Sequence, residues 1–109
     1  MRQFVVDELS REEHDNLDTY LKNRLRAGGM QGMYWLAIPP DLLGPAQEGH
    51  DECGPFAFGL DLAENKLIVE LLVRSEVNIH CSCISYATVA QRQFLLDFLD
   101  TMLAEEQIR

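Results

Sequence analysis

Two short stretches, His50-Asp-Glu-Cys53 and His80-Cys81-Ser-Cys83, hold all three cysteines of the chain and two of its three histidines. Three thiolates and one imidazole complete a tetrahedral Zn2+ shell, with sulfur about 2.3 Å and nitrogen about 2.0–2.1 Å from the ion. His50, Cys53, Cys81 and Cys83 are therefore the candidate metal ligands. The competing reading needs no metal. Free cysteine is among the most buried residue types and packs like a small hydrophobe, so the three sulfurs can serve the core.

Two further chemistries use the same residues. His50 lies three positions before Cys53, and on one turn the imidazole can touch the thiol and lower its pKa, as a thiol enzyme requires. Against this, Gly54-Pro55 directs a turn rather than an oxyanion-hole helix, and no third orienting residue is identifiable. A disulfide from Cys53 to Cys81 or Cys83 is geometrically allowed, whereas Cys81 and Cys83 are poorly placed to bond to each other on one strand. The acids Asp41, Glu48, Asp51, Glu52, Asp61 and Glu64 show no EF-hand spacing and read as a solvated rim. Gly28-Gly-Met-Gln-Gly32 follows a helix and precedes a strand, the reverse of a phosphate-binding turn.

Charge and length narrow the partners. The chain has 109 residues, read as a single α+β domain over 1–109, with net charge −9 and pI near 4.6. Phosphate contact needs clustered Lys and Arg, so nucleic acid is excluded, and anionic membrane surfaces are disfavoured for the same reason. Such a balance favours partners that are basic or mostly apolar. Residues 1–8 carry no signal-peptide apolar region and no run is long enough to span a bilayer, so a cytoplasmic protein with reduced thiols is expected.

The elements that must position the sulfurs follow from pattern. Ser10-Arg-Glu-Glu13 and Thr88-Val-Ala-Gln91 are capping boxes, each opening a helix. Leu17, Tyr20, Leu21 and Leu25 form the apolar stripe of the first helix, with Gly28-Gly29 as its stop. Phe94, Leu95, Phe98, Leu99, Met102 and Leu103 form that of the second, whose acidic tail is expected to fray. Met33–Ile38 reads as a strand stopped by Pro39-Pro40, and residues 39–54 as a long loop. Residues 56–62 and 67–73 alternate as two more strands, and Val77–Cys83 as a fourth. The order α-β-β-β-β-α predicts a two-layer sandwich: an antiparallel four-stranded meander with N- and C-terminal helices.

Strand alternation then divides the sulfur cluster. On a regular fourth strand, Cys81 and Cys83 face the core with Val77 and Ile79, and His80 faces away. Only Cys53 and His50 remain in a loop, unless the strand bends at Ser82 and the thiols converge. Trp35, Ile68, Leu72 and Ile84 fall on the faces opposite the strongest apolar stripes and are the interface candidates. The function expected is a non-enzymatic, cofactor-free interaction or regulatory module. It is expected to self-associate as a homodimer through that face and to bind a protein segment. A structural zinc protein built on His50, Cys53, Cys81 and Cys83 is the alternative, and a thiol enzyme centred on Cys53 and His50 the second alternative.

Overall fold

The structure is a computed structural model describing residues 1–109. It is an α+β fold with one antiparallel sheet and two helices. In chain order the elements are β1 (Gln3–Val6), α1 (Arg11–Arg24), β2 (Arg26–Ala27), β3 (Met33–Ala37), β4 (Phe56–Leu62), β5 (Leu67–Ser75), β6 (Ser85–Tyr86) and α2 (Val89–Glu105). The sheet order is β1-β5-β4-β3-β2. β6 also pairs with β5, at Leu72 and Val73, beyond the stretch Leu67–Glu70 that β1 occupies.

Both capping boxes form. Ser10 Oγ accepts from the Glu13 N–H while the Glu13 carboxylate accepts from the Ser10 N–H, and Thr88 and Gln91 repeat the exchange. Each box satisfies two helix-end donors that would otherwise lack partners. The apolar stripes of the helices meet one face of the sheet: Leu17, Tyr20, Leu21, Leu95, Leu99 and Met102 share a buried cluster with Tyr34, Leu36, Phe58, Leu60, Val69 and Val73. An edge-to-face contact between Tyr20 and Phe98, with centroids 6.2 Å apart, joins the two helices.

The structure departs from or adds to the sequence pattern in several places. Gly28-Gly29 does not end α1, because Leu25 is already extended and leads into β2. Gly28 instead lies where the β2–β3 turn closes, and a Cβ there would meet that of Met33 at 2.9 Å. The acidic tail closes into a cap. Gln107 takes a left-handed conformation (φ 57°), the Gln107 and Ile108 N–H groups bond the Ala104 and Leu103 carbonyls, and Ile108 returns to the core. β1 is an edge strand unforeseen in the sequence. Lastly, the loop after Pro39 holds three single-turn 3-10 helices: Pro40–Leu42, Pro45–Gln47 and Asp51–Cys53.

The expected fourth strand is the main correction. Residues 76–84 form turns, and the strand is confined to Ser85–Tyr86. Ser75 Oγ accepts from the N–H groups of Val77 and Asn78, and Asn78 Oδ1 accepts from the His80 N–H. Side-chain oxygens thus take the donors that a ladder would need, the usual way Ser and Asn divert a backbone from a sheet. Val77 and Ile79, placed in the core by alternation, are 63% and 71% exposed.

Tyr34 on β3 donates its hydroxyl hydrogen bond to Asp18 on α1, which also pairs with Lys22 at 3.0 Å. Burial and the Asp18 carboxylate push the Tyr34 phenol up to about 12, and the Tyr34 hydroxyl holds Asp18 below the usual carboxylate range. The signs set two pH limits. The depressed Asp18 contributes stability that is present above about pH 4 and lost as pH falls through its folded pKa. The raised Tyr34 contributes stability that is present below pH 10 and lost as pH rises towards 12. Tyr34→Phe is expected to cost about 1–2 kcal/mol near neutrality. Urea unfolding across pH should show that cost vanishing in both limbs; a pH-independent difference would contradict the assignment.

Candidate metal centre

The topology brings the two cysteine stretches together. β4 and β5 are antiparallel, and Phe56 at the start of β4 pairs with Ser75 at the end of β5. The chain entering β4 carries His50 and Cys53; the chain leaving β5 carries Cys81 and Cys83. These two flanks must therefore lie side by side, and the Glu76 N–H donates to the Pro55 carbonyl to extend the pairing one step further.

Each flank presents its ligands on a turn. Asp51–Cys53 is one 3-10 turn, closed by the Cys53 N–H on the His50 carbonyl at 2.9 Å. It carries the His50 ring and Cys53 sulfur to the same side. On the other flank the Cys81 N–H bonds the Asn78 carbonyl and the Ile84 N–H bonds the Cys81 carbonyl. The Cys83 N–H donates to the Cys81 sulfur at 3.4 Å. Without a straight strand, Cys81 and Cys83 have no need to sit as a strained pair on one pleat.

The result is that Nδ1 or Nε2 of His50 and the sulfurs of Cys53, Cys81 and Cys83 all lie within 4.8 Å of one another. The Cys53 thiol contacts the Cys81 sulfur at 3.3 Å, and His50 Nδ1 lies 3.2 Å from the same sulfur. Ligand atoms around a tetrahedral Zn2+ lie roughly 3.5–3.8 Å apart, given the bond lengths above. The observed separations bracket that edge. Cys53 and Cys83 are buried and Cys81 and His50 half-buried, so the cluster is shielded without being sealed. His80 stays exposed outside it, as strand alternation had placed it, although the backbone there is a turn.

Electrostatics inside the cluster are unbalanced. The Cys83 thiol and its N–H stabilise charge on Cys81, whose pKa falls to about 7 with further help from Cys53 and His50. The hydrogen bond to Cys81, then burial, pushes the Cys53 thiol up. Burial, then its bonds to Cys81 and Cys53, pushes Cys83 up to about 12. Ionisation is thus favoured at Cys81 and disfavoured at Cys53 and Cys83, because a second or third thiolate would meet like charge at close range. A divalent cation among them removes that penalty and lets all three ionise.

Two buried side chains unseen as functional in the sequence bridge the flanks. Ser75 Oγ donates to the Cys53 carbonyl while accepting from Val77 and Asn78, so one hydroxyl ties the first flank to the start of the second. Gln47 Nε2 donates to the Cys83 carbonyl at 2.8 Å, and its Oε1 accepts from Gly44 and from Gln91 Nε2. Gln91, beyond its capping role, also donates to the Leu42 carbonyl. The only sequence signals were turn-forming Ser75 and Asn78 at either end of Glu-Val, and polar residues in a loop seldom announce burial.

The four interface candidates lie elsewhere. Trp35, Ile68, Leu72 and Ile84 are all half-buried. Trp35, Ile68 and Ile84 line a cavity of about 470 Å3 on the face of the sheet away from the helices. Leu72 pairs across from Tyr86 outside its walls, and Ile84 also packs against the core cluster. No helix is long and apolar enough to cross a membrane. No protein-family model, curated protein or solved structure matches the chain.

Proposed function

We propose that this chain is a non-enzymatic binding module whose two central loops are fixed by a structural Zn2+ ion held by His50, Cys53, Cys81 and Cys83. The observation that carries the reading is the convergence of three sulfurs and one imidazole within 4.8 Å. Soft thiolates with one imidazole select Zn2+ over the hard cations, which take oxygen. Four protein ligands leave no open coordination position, which favours a structural over a catalytic role. The metal would hold together flanks that otherwise rest on Ser75, Gln47 and sheet pairing. A thiol enzyme centred on Cys53 and His50 is less well supported. His50 Nδ1 faces Cys81 rather than Cys53, and Cys53 is pushed up, the reverse of an activated nucleophile.

Of the 20 buried core residues only Cys53 and Cys83 are candidate ligands, so the metal-depleted protein is expected to remain folded but less stable. Protein purified without tag or chelator should contain one zinc per chain by elemental mass spectrometry. At free metal a hundred times Kd the stabilisation is about 2.7 kcal/mol, which moves the thermal midpoint by on the order of 10–20 °C in a domain of this size. EDTA should remove that shift and Cys81→Ser should abolish it. Sub-stoichiometric zinc with melting unchanged by EDTA would sink the proposal. A mass lighter by two hydrogens without reductant would replace the metal by a Cys53–Cys81 disulfide.

The bridging side chains yield a subtler expectation. Gln47→Leu and Ser75→Ala leave all four ligands in place but release one flank each. Zinc affinity, read by competition with a chromogenic chelator, is expected to fall roughly 10–100-fold in each, as outer-shell losses do. Affinity equal to that of the unaltered chain would show that the ligands position themselves.

A further inference from the structure

The helix-free face of the sheet holds a second feature, separate from the sulfur cluster. Cross-strand register sets three rows on it: Val5, Ile68, Asp61 and Met33; then Gln3, Glu70 and Trp35 around Gly59; then Arg74 with Ala57 and Ala37. Gly59 leaves the middle of this surface hollow. A Cβ at that position would sit 2.9 Å from the Glu70 carboxylate and 3.6 Å from the Trp35 ring. The turn after β5 raises one wall through Ile79 and Ile84, giving the cavity of about 470 Å3, a volume within the usual range for a binding site.

The charges in this cavity are not equivalent. Arg74 holds both oxygens of Glu70, at 3.0 and 2.7 Å, and Arg26 pairs with Glu76. Asp61 has no ion pair and is exposed at the cavity edge, between Met33 and Ile68 in its row. The unmatched group is therefore one carboxylate beside the only tryptophan of the chain. An indole face and a carboxylate together suit a cation on an apolar stem.

We infer that the cavity receives a lysine or arginine side chain from an extended segment of a basic protein partner, its cation at Asp61 and its stem across Trp35. The inference rests on the binding-module half of the proposed function and is independent of the metal. A segment rather than a free amine is indicated by the surroundings: Val5, in the row of Ile68, and Ile79, in the cavity wall, are exposed apolar residues that apolar neighbours of the basic residue would cover. A second copy of this chain is disfavoured, because each carries −9 and the unmatched cavity charge is itself negative.

Trp35 makes the test direct, since its emission reports occupancy of this cavity alone. The protein as purified is titrated with a short peptide alternating leucine and lysine, with its leucine–glutamate counterpart, and with hexylamine. A saturable emission change from the lysine peptide only is expected. Asp61→Asn should weaken it roughly two- to fivefold, the size of an exposed ion pair, and Asp61→Lys should transfer the response to the glutamate peptide. Asp61 is exposed, so both variants are expected to fold, which circular dichroism verifies. No saturable change, an equal response to both peptides, or a response indifferent to Asp61→Lys overturns the inference. Hexylamine matching the lysine peptide would place a small amine there instead, and a dimer by light scattering that buries Trp35 would place a second copy there. Zinc content measured on the same samples keeps a failure here distinct from a failure of the metal reading.

Discussion

Sulfur atoms in contact cannot all carry charge unless a cation sits among them, and the region between β4 and β5 is organised around that constraint. Cys81 is drawn down to about 7 while its neighbours Cys53 and Cys83 are pushed up. Placing His50 Nδ1 against the same sulfur adds a fourth donor of the kind a zinc shell uses.

That arrangement depends on the sheet. The central pairing of β4 with β5 fixes where one strand begins and the other ends, so the two ligand-bearing turns are neighbours by topology. The helices supply the counterweight. By covering one face with Leu17, Leu21, Leu95, Leu99 and Met102, they bury a core made mostly of residues outside the candidate ligand set. Gln91 links the layers: its amide closes the α2 cap on one side and, through Gln47, reaches the Cys83 carbonyl on the other. The same turn after β5 serves two surfaces, its cysteines facing inward and Ile79 and Ile84 walling the cavity on the helix-free face.

Much of the frame was legible in the sequence because its signals are local. Ser10 with Glu13 and Thr88 with Gln91 announce helix starts through bonds made within one turn, and the alternation of 56–62 and 67–73 follows from a two-sided sheet. The α+β class and the identities of the four candidate ligands followed from such signals. The geometry of the ligands did not. Val77, Ile79, Cys81 and Cys83 mimic a buried strand, yet Ser75 and Asn78 cancel it with bonds from side chain to backbone. β1 escaped notice because edge pairing to Leu67–Glu70 is a long-range choice with little pattern in Gln3–Val6. Gln47 looked like loop polarity because its partner, the Cys83 carbonyl, lies 36 residues away.

The convergence of the two turns on one ion is the central claim, and X-ray absorption at the zinc edge tests it most directly. The proposal predicts a four-coordinate zinc with three sulfurs at about 2.3 Å and one nitrogen at about 2.0–2.1 Å, with one sulfur lost in Cys83→Ser and the nitrogen lost in His50→Ala. A shell made only of oxygen and nitrogen, or one unchanged by either substitution, would contradict it.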